Sequence, residues 1–159
     1  MAEPAPAQPW RVRRATPDDL DALAPLFDGY RQFYGQPGDP ALARSFLAER
    51  LERGESAVFV AEDGAGVLLG FTQLFPSFSS MRARRIYILN DLFVAPAARG
   101  SGVGRTLLEA ARAFGVAQGA ARLTLSTAHD NLAAQALYEG AGWQRDSVFR
   151  VYNLALEDN

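Results

Sequence analysis

Along this chain the apolar positions change period several times, and each change marks an element. Trp10-Arg-Val-Arg-Arg14 alternates as a short strand. Thr16, Pro17 and Asp19 then give a helix start: a hydroxyl cap, a proline in the first turn and a carboxylate at the third position. Leu20, Leu23, Leu26, Phe27 and Tyr30 recur at helical spacing behind it. Gly35-Gln-Pro-Gly-Asp-Pro40 breaks the chain, and a second helix runs from Ala41 to Arg53, stopped by Gly54. Ala57 to Ala61 is a strand of the buried type, and a turn at Asp63-Gly64 joins it to a second strand from Val67 to Phe75 as an antiparallel hairpin. Pro76 to Ser80 is expected to be a loop, and Arg85 to Val94 a long strand rich in β-branched and aromatic residues.

From Gly102 to about Gln118 the apolar set Val103, Leu107, Leu108, Ala111 and Phe114 forms one face of an amphipathic helix. Ala121 to Ser126 alternates as a strand, Asn131 to Ala141 is helical, and Val148 to Leu156 alternates again, predicting a last strand. The order β-α-α-β-β-β-α-β-α-β predicts an α/β domain built on a mixed sheet. No repeat is visible, so a single domain is expected from Trp10 to residue 159, after a loose Pro/Ala-rich tail over residues 1–9.

Composition narrows the chemistry. The 159 residues are 48% hydrophobic and contain no cysteine, which excludes disulfides, thiolate metal sites and a cysteine nucleophile and fits a reducing, cytoplasmic setting. Every basic residue is Arg, so a P-loop lysine, a Schiff base and a lysine general base are excluded. His129 is the only histidine; it reads as a loop residue after a strand, and a multi-histidine metal site cannot be built, so no metal is expected. The formal charge of -2 argues against a phosphate-backbone footprint and hence a nucleic-acid partner. No run approaches the roughly 20 apolar residues of a membrane span, and the opening lacks the regions of a signal peptide, so no membrane partner is expected.

Between the long strand and the third helix lies Arg99-Gly-Ser-Gly-Val-Gly104. A glycine-rich turn entering a helix presents backbone N–H groups at the positive end of the helix dipole and suits a pyrophosphate. It matches neither the dinucleotide G-x-G-x-x-G pattern, where Arg105 takes the last glycine position, nor a P-loop. A tight strand-to-helix turn without a ligand is the other reading of these residues.

Leu92 to Leu108, carrying Arg-x-x-Gly-x-Gly, resembles the acetyl-coenzyme A signature of the GNAT superfamily of N-acetyltransferases. Asn131-x-x-Ala134-x-x-Leu137-Tyr138-x-x-x-Gly142-Trp143 resembles the second motif of that family, with Trp where Phe is more usual. Ile88-Leu-Asn-Asp-Leu-Phe-Val94 is similar to the diamine-acetylating branch and its histone-acetylating relatives. The resemblance implies a mixed, mostly antiparallel central sheet flanked by helices, and acetyl-CoA (coenzyme A) as cofactor. It implies that the backbone of Leu92, Phe93 and Val94 lines the pantetheine arm. Gly100, Ser101, Gly102, Val103, Gly104 and Arg105 would hold the pyrophosphate, Arg99 would open the signature, Asn131 would bond the cofactor arm and Tyr138 would face the leaving sulfur. A backbone N–H near Phe93 or Val94 would serve the oxyanion.

Each role has a bland counterpart. Tyr138 lies at helical spacing from Ala134 and Ala141, the pattern of a packing residue, and Asn131 is well placed to cap its helix. The diamine branch carries Glu where this chain has Asn90, which takes no proton at neutral pH; a water held by Asn90 or by a backbone carbonyl could relay the proton instead. Asp91 is the nearest carboxylate; strand alternation would turn it to the face opposite Asn90, leaving it as base, water-relay member or structural carboxylate. Tyr30, Phe33 and Tyr34, with Phe75 and Phe78, could wall an acceptor pocket. The expected activity is acetylation of a primary amine on a small, polyamine- or amino-acid-like molecule, and the resemblance implies a homodimer. A non-catalytic acyl-CoA sensor and a protein acetyltransferase are the alternatives.

Overall fold

The computed structural model describes residues 8–158, so all but Gln8 and Pro9 of the expected tail lies outside the described residues. The order is β1 (Trp10–Arg14), α1 (Leu20–Phe33), α2 (Pro40–Glu52), β2 (Ala57–Asp63), β3 (Leu68–Ser79), β4 (Arg84–Val94), α3 (Val103–Ala117), β5 (Leu123–Thr124) and α4 (Leu132–Gly140), with short 3-10 turns at Pro17–Asp19 and Pro96–Ala98. The chain divides into two compact units, the first ending at Ser126 and the second beginning at Thr127.

In the first unit the five strands lie in chain order, β1 to β4 antiparallel and β5 parallel to β4. Period-two alternation gives the sheet two apolar faces. Val58, Val60, Phe71 and Phe93 pack with Leu23, Phe27 and Leu47 of α1 and α2. Phe59, Ala61, Leu92 and Val94 pack with Val103 and Leu107 of α3. At Gly70, β3 leaves no room for a side chain against β4, since a Cβ there would stand 2.8 Å from the Phe93 carbonyl oxygen. The start of α1 is pinned by Asp19, whose carboxylate accepts from Thr16 N–H and from both Arg13 Nη atoms, each at 2.8 Å.

Three expectations are corrected. Pro76 to Ser79 is strand, paired with Arg84 to Tyr87, because Pro76 lies beyond the last β2 partner of β3 at Leu74; one edge there carries no ladder and a missing N–H goes unnoticed. The strand expected over Ala121 to Ser126 shrinks to Leu123–Thr124. No strand forms over Val148 to Leu156: Val148, Val151, Tyr152, Leu154 and Leu156 are exposed and the segment joins no ladder among the described residues. Alternation supplies a strand's preference, but a strand persists only on a hydrogen-bonded neighbour.

In the second unit, α4 begins at Asn131, whose Oδ1 accepts from Ala134 N–H at 3.2 Å. It ends in a left-handed Gly142 (φ 93), with Trp143 N–H donating to the Tyr138 carbonyl at 3.0 Å and Gly142 N–H to Glu139 at 3.1 Å. This is the Schellman closure, and it gives the Gly-Trp pair of the second motif a structural reason.

Candidate active site

The first unit concentrates its buried polar groups where β4 changes register. Gln73 of β3 faces Asp91, whereas the next residue, Leu74, faces Leu89, so Asn90 is an extra residue bulged out of the ladder. The bulge cancels the expected alternation. Asn90 and Asp91 do not diverge; Asn90 Nδ2 donates to Asp91 Oδ1 at 2.8 Å.

Asp91 is 2% exposed. Its Oδ2 accepts from Gln73 Nε2 at 2.6 Å, and Gln73 Oε1 accepts from Ser56 Oγ at 2.8 Å. The Tyr30 hydroxyl, brought over from α1, donates to the Asn90 carbonyl at 3.0 Å. Burial pushes the Asp91 carboxyl above the ordinary carboxylate range, and hydrogen bonds from Asn90, Gln73 and Tyr30 draw it part of the way back. Tyr34, its ring 5.0 Å from that of Tyr30, has its phenol pushed up by burial and then by the negative charge of Asp91. Asp91 has no ion-pair partner among the described residues, so its neighbours stabilise the carboxylate without supplying a positive charge.

Beyond the bulge β4 has a free edge. Thr72 Oγ1 donates to the Asp91 carbonyl at 2.7 Å, and Ala95 N–H to the Leu69 carbonyl at 2.8 Å, which fixes the side of each residue along the strand. Asp91 and Phe93 turn their backbone toward β3, while Leu92 and Val94 turn theirs away. β5 pairs only with Tyr87 and Ile88, so no strand among the described residues meets the Leu92 and Val94 amides. The Phe93 N–H lies within the ladder and is unsuited to an oxyanion; Leu92 and Val94 are the candidates.

The chain then turns through Gly100 (φ 81) and Gly102 (φ 98) into α3. Gly102 caps α3 without a side chain, so the first-turn amides of Val103, Gly104 and Arg105 receive no side-chain acceptor. Ser101 Oγ bonds the Ala98 carbonyl, and Arg105 forms an exposed pair with Glu109 at 3.6 Å. Arg99 turns back: its Nε donates to the Val94 carbonyl at 3.0 Å and its guanidinium lies 5.3 Å from the Phe93 ring and 5.9 Å from that of Phe33. Arg99, Phe33 and Phe93, with Gly29, Gln32 and Pro96, border a groove of about 630 Å³ beside α1.

The five aromatics expected to wall an acceptor pocket separate. Tyr30, Phe33 and Tyr34 form one run of edge-on rings at the end of α1. Phe75 lies two residues along β3 from Gln73 and shares its face. Phe78 belongs to the opposite face, because the strand continues through Pro76; it pairs with Arg85, whose guanidinium covers its ring at 4.2 Å. Asn131 and Tyr138 belong to the second unit, where Asn131 caps α4 and the Tyr138 ring lies 6.2 Å from that of Trp143. The carbonyl of His129 accepts from Gln135 Nε2, in keeping with a loop role. Gln73 and Ser56 were not anticipated. Their signal is a polar residue inside the apolar run Leu68 to Phe75, a position that needs a buried partner.

The acetyltransferase (GNAT) family matches residues 22–143. An uncharacterized N-acetyltransferase of Bacillus subtilis is 49% identical over 143 residues, covering 90% of this chain and 95% of the relative. The crystal structure of a probable acetyltransferase superposes with a TM-score of 0.89 at 43% identity, covering 94% of this chain and 99% of that one. A D-amino-acid N-acetyltransferase of Saccharomyces cerevisiae is 27% identical over 141 residues, covering 86% of each chain. The chain belongs to the GNAT family and is an acetyl-CoA-dependent N-acetyltransferase. The free β4 edge and the uncapped first turn of α3 are donor sets of the kind that a pantetheine amide and a pyrophosphate require, so the residues present fit that co-substrate.

Proposed function

We propose that this chain acetylates a primary amine of a small, polyamine- or amino-acid-like molecule by direct attack in a ternary complex, with Asp91 as the proton acceptor. The observation that carries the reading is the Asp91 carboxylate itself: buried, raised in proton affinity, held by neutral donors and flanked by Tyr30 and Tyr34. A carboxyl poised upward is suited to removing a proton from an ammonium group near neutral pH.

Acetyl-CoA supplies the acetyl thioester when bound. The first-turn amides of α3, with Gly100 to Arg105, would hold its pyrophosphate, and the Leu92 and Val94 edge would hold its arm. Asp91 takes a proton from the acceptor ammonium, freeing the lone pair that attacks. A β4 amide at Leu92 or Val94 would receive the charge that develops on the acyl oxygen. By the family resemblance Tyr138 would give its hydroxyl proton to the departing sulfur and recover one from the acylated nitrogen as the amide forms, and Asn131, which caps α4, would add a bond to the cofactor arm. Asn90 stands where the diamine branch carries a carboxylate, and here it donates to Asp91. Kinship with that branch, action as one domain over residues 10–159, a homodimer and a cytoplasmic location belong to the same proposal.

Thiol release from acetyl-CoA against polyamines, amino acids, aminoglycosides and peptides tests it. A response from a small amine is expected. Silence across the panel overturns the reading, and a response from peptides alone moves the acceptor to proteins.

A further inference from the structure

The bulge explains why Asn90 and Asp91 meet, but it leaves Gln73 unused by the chemistry. Its side chain is 0% exposed, in a strand whose other inward residues are apolar apart from Thr72. A buried primary amide needs partners at both ends. Gln73 has them: Nε2 donates to Asp91 Oδ2 at 2.6 Å, and Oε1 accepts from Ser56 Oγ at 2.8 Å, with Ser56 itself 7% exposed.

We propose that Gln73, oriented by Ser56, is a positioning residue for proton transfer, one that holds the Asp91 carboxylate in its ionised, proton-accepting form. This rests on the reading of Asp91 as the proton acceptor. With Ser56 satisfying its oxygen, the amide turns its nitrogen to Asp91 and leaves no buried atom unpaired. A protonated Asp91 would face two amide nitrogens, from Gln73 and Asn90, neither of which accepts a hydrogen bond, leaving the Tyr30 hydroxyl to accept its proton. The pair therefore opposes the effect of burial and keeps the carboxyl from becoming permanently neutral.

The other groups around Asp91 leave this effect to be measured. From α1 come the tyrosines Tyr30 and Tyr34, from β3 the neutral Gln73 and Thr72, and from β4 Asn90; α2 contributes apolar Ala43 and Leu47 to the adjoining core.

The test is a direct titration of Asp91 in the full chain, by carbon NMR of labelled aspartate carboxyls assigned with Asp91→Asn, so it needs no knowledge of the acceptor. Gln73→Met keeps the volume and removes the donor, and the Asp91 titration should move upward by about one pH unit or more, a tenfold gain in proton affinity. Ser56→Ala should move it in the same direction by less, and Ser56→Thr, which restores a hydroxyl, should return it toward wild type. Should Gln73→Met fail to fold, the Ser56 pair gives the same readout. An Asp91 titration that stays in place in the folded variants overturns the role of Gln73 and Ser56. Full activity in Asp91→Asn would instead overturn the reading beneath it, so the two failures are distinguishable.

Discussion

Gly102→Val is the sharpest probe of the α3 turn. Gly102 has φ 98, a region in which an L-residue is strained by about 1–2 kcal/mol and a β-branched one by more. Crowding adds little, since a Cβ there would lie 3.9 Å from the Trp10 ring, an ordinary contact. Relief comes only by rotating φ toward negative values, which swings the amides of Val103, Gly104 and Arg105 off their common point. A charge-assisted hydrogen bond contributes about 1.5–3 kcal/mol, so losing the aim of even one should weaken coenzyme A binding by roughly tenfold or more. Gly54→Val is the control: φ is 63, nothing lies within 4 Å, and the site is remote in sequence from the turn. Both variants should lose roughly 2–8 °C in Tm, from about 2–4 °C per kcal/mol at this size. Calorimetric titration with coenzyme A should weaken in Gly102→Val alone. Wild-type affinity in folded Gly102→Val, or equal weakening in Gly54→Val, would refute the assignment of the turn.

Three further outcomes are expected. Tyr138→Phe keeps the ring and removes the proton donor, so turnover should fall roughly tenfold or more with coenzyme A affinity unchanged; wild-type turnover would make Tyr138 a packing residue. Gly70→Ala places a Cβ 2.8 Å from the Phe93 carbonyl and should cost about 1–3 kcal/mol in denaturant unfolding, whereas an unchanged midpoint would mean β3 and β4 separate freely. The Asp19 carboxyl is held below its ordinary 3.8 by the Arg13 fork, so its contribution to stability is present above that value and lost as the pH falls through the depressed one. Arg13→Gln should therefore raise the acid-unfolding midpoint followed by circular dichroism, and an unmoved midpoint would remove Asp19 from the acid transition.

The parts legible in the sequence are those whose signal is local. Helical spacing marks α1 and α3, the Asp63-Gly64 turn marks the hairpin, and the glycines before Val103 mark the turn because left-handed backbone selects them. What escapes is set by pairing. Nothing in Ile88-Leu-Asn-Asp-Leu92 announces a bulge, since the extra residue exists only against the register of β3; alternation therefore misplaced Asn90 against Asp91. Pro76 reads as a strand breaker unless the missing neighbour on that edge is known, so the strand position of Phe78, opposite Arg85, is not legible either. Val148 to Leu156 has the alternation of a strand and no ladder to join. The Ser56–Gln73–Asp91 line joins residues from three separate stretches of chain, and only the fold brings them into contact.

The pH dependence of kcat/KM for acetyl-CoA-dependent thiol release, with whichever small amine in the panel responds, tests the central claim most directly when wild type and Asp91→Asn are compared. General-base catalysis of this kind contributes about 10²–10⁴-fold. Asp91→Asn should fall by that order with coenzyme A affinity intact, and its residual rate should climb with pH as the amine deprotonates unaided. Superimposable wild-type and Asp91→Asn profiles would contradict the account and place the base elsewhere.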